Sequence, residues 1–209
     1  MKLVAIVGAD GTGKTTQANL LARRLHEQGF SVECVRPVFL LFDPWRLRGA
    51  READAALSPR LVRLRASGTD ADGRRRASAF AAATTAAGFL YAVATYLWLR
   101  TAFRGRQFVV CDRYFYQFFF DLSGPSAAGL AKAFPQPDLV FWLDGDLDLI
   151  RSRSDAPPTR PSEVDYYESA LAFYRELAPG LGFVRIDARM GAEEVSGSIL
   201  RILMERIGA

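Results

Sequence analysis

Residues 8–15 combine residue types and spacing that suit the binding of a chain of phosphates. Their letters, GADGTGKT, fit the pattern G-x-x-x-x-G-K-[ST]. Glycines let successive backbone N–H groups face one point, the start of a helix adds its positive dipole end, and Lys14 adds a mobile cation. Thr15 can place its hydroxyl on a Mg²⁺ ion that bridges the outer phosphates. The predicted nucleotide-binding residues are Gly8, Gly11, Thr12, Gly13, Lys14, Thr15 and Thr16.

A second group of residues that could do chemistry follows the apolar run 107–111. Asp112 comes directly after this run, at the edge of a sheet where ligands usually bind. A carboxylate there can hold magnesium or a water bound to it, or act on an acceptor hydroxyl. Thr15 and Asp112 are therefore the predicted metal ligands. Arg153 and Arg160 lie in the polar stretch 152–162, which either closes over a transferring phosphoryl group or is a solvated turn.

Alternating patterns along the chain would bring these residues to one edge of a sheet. Apolar or alternating runs predict strands at 3–7, 30–35, 107–111, 137–144 and 183–186. Helices are predicted at 16–28, 77–99, 146–151, 163–178 and 192–207. Strands that alternate with helices imply a parallel sheet covered on both faces. We therefore expect an α/β fold with a central five-stranded parallel sheet, in a single domain that spans residues 1–209.

Composition limits the class of protein. Half of the 209 residues are apolar and 24% are charged, which is typical of a soluble globular protein. An excess of four basic residues suits an anionic substrate, and without a dense basic run beyond 74–76 we expect no nucleic-acid partner. Cys34 and Cys111 are too few for a disulfide framework, and no export signal is visible, so a cytoplasmic location is expected. His26 is the only histidine, so catalysis through histidine, or a zinc site with several histidine ligands, is not expected.

Two apolar stretches have more than one interpretation. Residues 77–99 carry no charge and are long enough to span a membrane. A span there would separate 8–15 from 107–111, although both belong to one sheet, so we expect no membrane and favour a long helix packed on the sheet. This helix is also expected to form the interface of a homodimer. Residues 115–120 are mostly aromatic, and they either line a pocket for a flat ring or fill the core.

A long irregular connection is predicted across residues 38–72. It contains breakers at Pro44, Gly49, Pro59 and Gly68. Short helices are expected at 43–50 and 59–65. Connections of this length in a compact domain are usually functional or mobile.

The motifs resemble those of the thymidylate kinases and their thymidylate-kinase-like relatives among the nucleoside monophosphate kinases. The similarity covers nearly the whole chain. Its anchors are the loop GADGTGKTT with Asp10 inside it, the step Val-Arg-Pro at 35–37, the triplet Asp-Arg-Tyr at 112–114, the strand at 137–144 and an arginine-bearing lid at about 151–162. The resemblance implies the P-loop kinase fold, with ATP and Mg²⁺ as cofactors.

The same resemblance assigns roles to individual residues. Asp10 would approach the acceptor and Arg113 would contact phosphate. One of the lid arginines would reach the donor phosphates. The predicted catalytic residues are Lys14, Asp10, Asp112, Arg113, Arg151, Arg153 and Arg160.

The chain departs from this family on the acceptor side. Members usually carry an arginine in the long helix that grips the acceptor monophosphate, whereas 80–99 has none and Tyr91 lies near the expected place. The acidic residue of the family's R-E-P step is absent at 35–37. The segment 115–121 does not match the family's S-x-x-A-Y-Q. The predicted acceptor-binding residues are Asp10, Arg36, Tyr91, Arg113, Tyr114 and Tyr116.

The predicted activity is transfer of the γ-phosphoryl group of ATP to a nucleoside monophosphate such as dTMP, or to a related small acceptor. One alternative is a kinase for a nucleoside, a sugar or a natural-product intermediate. Another is a nucleotide-binding regulator with little turnover, which a transfer assay would distinguish. Because the usual acceptor-side arginine is missing, dTMP itself is expected to be a poor substrate.

Overall fold

The computed structural model describes residues 1–39, 79–153 and 157–207. Its strands are β1 (Lys2–Val7), β2 (Val32–Val35), β3 (Phe108–Asp112), β4 (Leu139–Asp144) and β5 (Val184–Asp187). They form one sheet in the order β2-β3-β1-β4-β5, and each neighbouring pair is parallel. The predicted α/β class with a five-stranded parallel sheet is confirmed.

Helices pack on both faces of this sheet. They are α1 (Lys14–Glu27), α2 (Ala79–Ala102), α3 (Phe115–Ser123), α4 (Ala128–Ala133), α5 (Leu147–Arg153), α6 (Pro161–Gly180) and α7 (Ala192–Ile207). Short 3-10 turns lie at Pro37–Phe39 and Gly124–Ala127. Helix α4 was not predicted from the sequence. The predicted short helices at 43–50 and 59–65 lie outside the described residues.

The strands are buried on both faces, which explains their continuous apolar character. Leu3, Ala5 and Val7 of β1 contribute to one apolar core, which also includes residues of α2, α3 and α6. Val4 and Ile6 contribute to a second core, with residues of α1 and α7. Since both faces are occupied, the carboxyl edge of the sheet is where functional side chains can reach a ligand.

Helix α2 is the apolar segment for which a membrane span was rejected. By length and composition, residues 82–102 of this helix could cross a membrane. Only 17% of the most apolar 18-residue stretch within it is buried in the protein. Its inner side does pack on the protein: Ala92, Thr95 and Leu99 are buried, and Phe89 stacks on Phe119 with ring centroids 5.7 Å apart. Leu90 and Leu97 are 68% and 57% exposed. The helix therefore joins the core by one side and presents an apolar outer side.

Candidate active site

The loop between β1 and α1 takes backbone conformations that favour glycine. Gly8 has φ +143°, and a Cβ there would lie 2.7 Å from the carbonyl oxygen of Leu143. Gly13 has φ +95° and directly precedes α1. The loop can lie against the end of β4 only because Gly8 has no side chain. The first turn of α1 contains no acidic residue, so nothing within it offsets the positive end of the helix dipole.

Three charged side chains meet at this loop. Lys14 Nζ donates to the carbonyl oxygen of Ala9 at 2.6 Å and to Asp10 Oδ1 at 3.2 Å. Arg113 Nη1 forms an ion pair with the same Asp10 oxygen at 2.5 Å. Burial would raise the pKa of Asp10, but the Arg113 and Lys14 cations hold it well below its usual range. Asp10 is therefore an ionised carboxylate at neutral pH.

Lys14 differs in one respect from the side chain expected from the sequence. It is 4% exposed and held by two acceptors, so the expectation of a mobile side chain was wrong. The pKa of Lys14 is lowered to about 8, mainly by burial and in addition by Arg113, whereas Asp10 opposes both effects. Lys14 thus remains mainly protonated at pH 7. The loop carboxylate holds this cation in place beside the loop.

Arg113 has a left-handed backbone, with φ +72°, which is uncommon for a residue that is not glycine. Its N–H donates to the carbonyl oxygen of Ile6 at 3.0 Å, directly after the last residue of β3. Such a conformation costs about 1–2 kcal/mol. It is maintained at the residue whose side chain pairs with Asp10, and strain of this kind concentrates at functional sites.

The predicted metal ligands, Thr15 and Asp112, lie next to each other. Thr15 Oγ1 donates to Asp112 Oδ2 at 2.9 Å. Arg36 Nε donates to the same carboxylate oxygen at 3.0 Å, and Arg36 Nη2 contacts both Asp112 Oδ2 and Thr15 Oγ1, the latter at 2.9 Å. Arg36 was predicted to bind the acceptor, but it lies at the predicted metal ligands. The cause is the strand order, since β2 and β3 are neighbours and end at the same edge.

These residues fit a magnesium ion that is shared with phosphate. Asp112 Oδ1 is buried and has no hydrogen-bond partner in the described part of the chain. A carboxylate and a threonine hydroxyl are hard oxygen ligands of the kind that Mg²⁺ prefers. Among the described residues, no group of three or more His, Cys, Asp and Glu side chains could hold a metal by itself. Phosphate oxygens and water would have to complete the coordination, as is usual for magnesium at nucleotide sites.

A cavity of about 490 Å³ opens beside the loop. Loop and α1 residues 11–17 line one wall, which includes every predicted nucleotide-binding residue except Gly8. Arg113 and Arg153 reach it from the sides. Met190 and Val195, which follow β5, form an apolar wall. Its size and mixed lining suit a nucleotide whose phosphates lie at the loop and whose base lies against the apolar wall.

The predicted lid arginines do not occupy equivalent positions. Arg153, the last residue of α5, lines the cavity. Arg151 is exposed and lies 3.9 Å from Asp148 of its own helix. Arg160 directly precedes α6, where its backbone N–H donates to Glu163 Oε2 at 3.2 Å and its side chain is exposed. Residues 154–156 of the lid lie outside the described residues. Of the three arginines, Arg153 is the one that faces the predicted phosphate position.

The three tyrosines predicted to bind the acceptor have their hydroxyls engaged within the protein. Tyr91 donates to the carbonyl oxygen of Val38 at 2.6 Å. Tyr114 is 1% exposed and donates to the carbonyl oxygen of Pro135 at 2.7 Å. Tyr116 is fully buried and donates to Gln136. The prediction that Tyr114 and Tyr116 contact an acceptor is wrong, because both rings are buried in the core and their hydroxyls are bound to Pro135 and Gln136.

Burial also decides the role of the aromatic stretch 115–120. Its side chains Phe115, Phe119 and Phe120 are fully buried in the core, whereas Phe118 is only partly buried. Of the two interpretations, core packing is therefore the correct one for most of the stretch.

Sequence reasoning missed the apolar wall of the cavity and a polar cluster on α3 and α6. Met190 and Val195 follow β5, and the rule that ligands bind at the carboxyl ends of strands could have indicated them. Gln117, Asp121 and Tyr166 form a polar cluster between α3 and α6. Gln117 and Asp121 are four residues apart within an aromatic helix, which was the available signal for a polar helix face.

The chain is similar in sequence to several curated proteins that are named thymidylate kinases. No family model matches the chain. It is 28% identical over 210 residues to a "Probable thymidylate kinase" of Methanothermobacter thermautotrophicus, which covers 98% of this chain and 95% of that protein. A "Probable thymidylate kinase" of Methanocaldococcus jannaschii is 27% identical over 210 residues, which covers 96% and 94%. The phosphate loop, the parallel sheet and these relatives together support a P-loop kinase fold and a likeness to the thymidylate kinases.

Proposed function

We propose that the protein transfers the γ-phosphoryl group of ATP, with Mg²⁺, to a nucleoside monophosphate or a closely related small acceptor. The observation that carries this proposal is the contact between Thr15 and Asp112 at 2.9 Å, beside the phosphate loop and its cavity. A hydroxyl from the loop and a carboxylate from the end of β3 meet where a metal ion shared with phosphate would be held.

Positioning and charge neutralisation would supply the catalysis. The loop N–H groups and Lys14 would bind the outer phosphates, and Arg153 would stabilise charge on the transferred group. Thr15 and Asp112 would hold magnesium, which supplies further charge neutralisation when it is bound. Arg113, which Asp10 holds through an ion pair, would contact the phosphate of the acceptor.

The identity of the phosphoryl acceptor depends on the cations that would hold its phosphate. The names of the relatives make thymidylate the first acceptor to test. Helix α2, however, carries no arginine before Arg100, near its carboxyl end. Arg113 alone would then hold the acceptor phosphate within the described part of the site. Losing one charge-assisted hydrogen bond costs about 1.5–3 kcal/mol, so thymidylate is expected to bind weakly.

We also propose that the protein acts in the cytoplasm as a homodimer joined through α2. Leu90 and Leu97 are the large exposed apolar side chains of the described residues, and both lie on this helix. Exposed apolar surface of this kind usually marks a contact with another protein. A second copy would cover it by an isologous contact, the commonest form of association.

A transfer assay with ATP and Mg²⁺ over nucleoside monophosphates, nucleosides and sugars tests the proposal. Acceptor-dependent formation of ADP and a phosphorylated product is the expected result. Tight ATP binding with no product from any acceptor would instead favour a nucleotide-binding regulator. Phosphorylation of only nucleosides or sugars would move the assignment to the alternative kinases.

A further inference from the structure

A polar cluster lies between α3 and α6, within an otherwise aromatic region. Gln117 Nε2 donates to Asp121 Oδ1 at 3.1 Å and to the Tyr166 hydroxyl at 2.9 Å. The Tyr166 hydroxyl in turn donates to Asp121 Oδ1 at 2.7 Å. One carboxylate oxygen therefore accepts two hydrogen bonds, and all three side chains are fixed relative to one another.

Two oxygen atoms of this cluster accept no hydrogen bond from the described residues. Gln117 is 5% exposed, and its Oε1 has no hydrogen-bond partner among the described residues. Asp121 is half-buried, and its Oδ2 makes no hydrogen bond to the part of the chain that the structure describes. Buried polar atoms in native proteins almost always have partners, so an orphaned amide oxygen indicates a missing donor.

The cluster belongs to the same end of the molecule as the phosphate loop. Helix α3 begins two residues after Arg113, and Gln117 is in its first turn. The pKa of Asp121 is raised to about 6, mainly by burial and in addition by Asp10, whereas hydrogen bonds from Tyr166 and Gln117 and the charge of Arg113 oppose this rise. Tyr167, which packs edge-on against Tyr166, also packs on the apolar cluster that contains Ala9 of the phosphate loop. A ligand whose phosphate is held at Arg113 would therefore extend toward the first turn of α3, where Gln117 lies.

Aromatic rings pack around the cluster and make its surroundings apolar. Phe120 packs on Tyr166 with centroids 5.7 Å apart, and Tyr167 packs edge-on against Tyr166 at 5.5 Å. An apolar setting strengthens hydrogen bonds that are made and makes those left unmade more costly. Such a site discriminates strongly between ligands that present donors and ligands that do not.

We propose that Gln117 and Asp121 form the specificity-determining subsite for the phosphoryl acceptor, and that they bind an edge with two neighbouring hydrogen-bond donors. This inference rests on the proposed transfer to a nucleotide-like acceptor. Both leftover atoms are acceptors, so the ligand must supply N–H or O–H groups. A guanine edge with its ring N–H and amino group has this pattern, and so does a pair of neighbouring sugar hydroxyls.

Thymine does not have this pattern. It offers one N–H between two carbonyl oxygens, and at least one of these oxygens would face the Asp121 carboxylate or the Gln117 carbonyl. An unpaired acceptor in such a site costs roughly ten- to a hundredfold in affinity. The subsite therefore selects against thymidylate independently of the missing arginine on α2.

Binding affinities measured by calorimetry test this inference without requiring turnover. The ligands are dTMP, dGMP, GMP and a hexose phosphate, and the proteins are wild type, Asp121→Asn and Gln117→Met. Asp165→Asn, an exposed carboxylate one residue before Tyr166, is the matched control. Preference for both dGMP and GMP over dTMP indicates a base edge, whereas preference for GMP over dGMP, or for the hexose phosphate, indicates hydroxyl pairs.

We expect wild type and Asp165→Asn to prefer a donor-pair ligand over dTMP by at least about tenfold. Asp121→Asn and Gln117→Met should each reduce this ratio by roughly tenfold and leave ATP affinity unchanged. A merely structural role would weaken all ligands together and leave the ratio unaltered. Tight dTMP binding in wild type, or a ratio that neither variant changes, would overturn the inference. Absence of turnover with intact selective binding would instead count against the proposed function alone.

Discussion

Arg36 donates to Asp112 Oδ2 through Nε at 3.0 Å and also contacts it through Nη2, and each side chain is only 8% exposed. This buried pair joins the residue after β2 to the last residue of β3. It fixes the carboxylate that also receives the Thr15 hydroxyl. The position of the predicted metal ligand therefore depends on an arginine from a neighbouring strand.

Replacing only one partner of the Arg36–Asp112 pair should destabilise the protein more than replacing both partners. We expect Arg36→Met to lower the free energy of unfolding by about 3–5 kcal/mol, because it leaves a buried carboxylate without its cation. The double variant Arg36→Met/Asp112→Leu should recover most of this loss. The surface pair of Arg106 and Glu33 is the control, and Arg106→Met should cost less than about 1 kcal/mol. Urea denaturation measures all three, and equal losses in the single and double variants would contradict the buried-pair interpretation.

Removal of the Thr15 hydroxyl should specifically weaken the use of magnesium. Thr15→Val keeps the shape of the side chain but takes away the oxygen next to Asp112. We expect the Mg²⁺ concentration for half-maximal transfer to rise at least about tenfold, whereas Thr15→Ser should behave like wild type. Titration of Mg²⁺ at saturating ATP gives this value. Identical Mg²⁺ dependence in the valine and serine variants would show that Thr15 is not a metal ligand.

The phosphate loop and Asp112 could be predicted from the sequence because their signals are local. Glycine spacing specifies the loop conformation, and a carboxylate directly after an apolar strand must lie at the carboxyl edge of the sheet. Arg36 could not be placed in the same way. Its contact with Asp112 depends on β2 and β3 being neighbours, which the order of elements in the chain does not reveal.

The acceptor side was less predictable for a related reason. Tyr116 and Gln117 are adjacent in the sequence, yet Tyr116 is fixed in the core by Gln136, whereas Gln117 joins Asp121 and Tyr166. Which side of α3 faces the core follows from packing against α2 and α6. The four-residue spacing of Gln117 and Asp121 indicates a polar side of this helix, but it does not show which side packs on the core.

Asp121 should make stability depend on pH in the direction opposite to a typical salt-bridged carboxylate. The pKa of Asp121 is raised from 3.8 to about 6 in the folded state. Its contribution to the free energy of unfolding is therefore fully present below pH 3.8 and is lost as the pH rises through about 6. Relative to Asp121→Asn, wild type should lose up to about 3 kcal/mol between pH 4 and pH 7. Urea denaturation of both proteins across this range measures the difference. Parallel pH profiles would contradict the raised pKa.

The apolar outer side of α2 gives a test of the proposed homodimer. Leu90→Glu/Leu97→Glu places charge on the exposed leucines and should convert a dimer to a monomer without unfolding the protein, because neither side chain is in the core. Ala172→Glu, an exposed position on α6, is the matched control. Sedimentation equilibrium gives the mass of each protein. A wild-type monomer at micromolar concentration, or a dimer that survives both charges, would exclude α2 as the interface.

Transfer of labelled γ-phosphoryl from ATP to an acceptor, compared between wild type and Lys14→Met, is the most direct test of the central claim. Methionine fills the space of the buried Lys14 side chain but removes its charge, and Lys132→Met at an exposed lysine is the control. We expect wild type and Lys132→Met to form a labelled product, and Lys14→Met to be slower by at least about a thousandfold while remaining folded by circular dichroism. Undiminished transfer by folded Lys14→Met, or no labelled product from wild type with any acceptor, would contradict a phosphotransferase built on this loop.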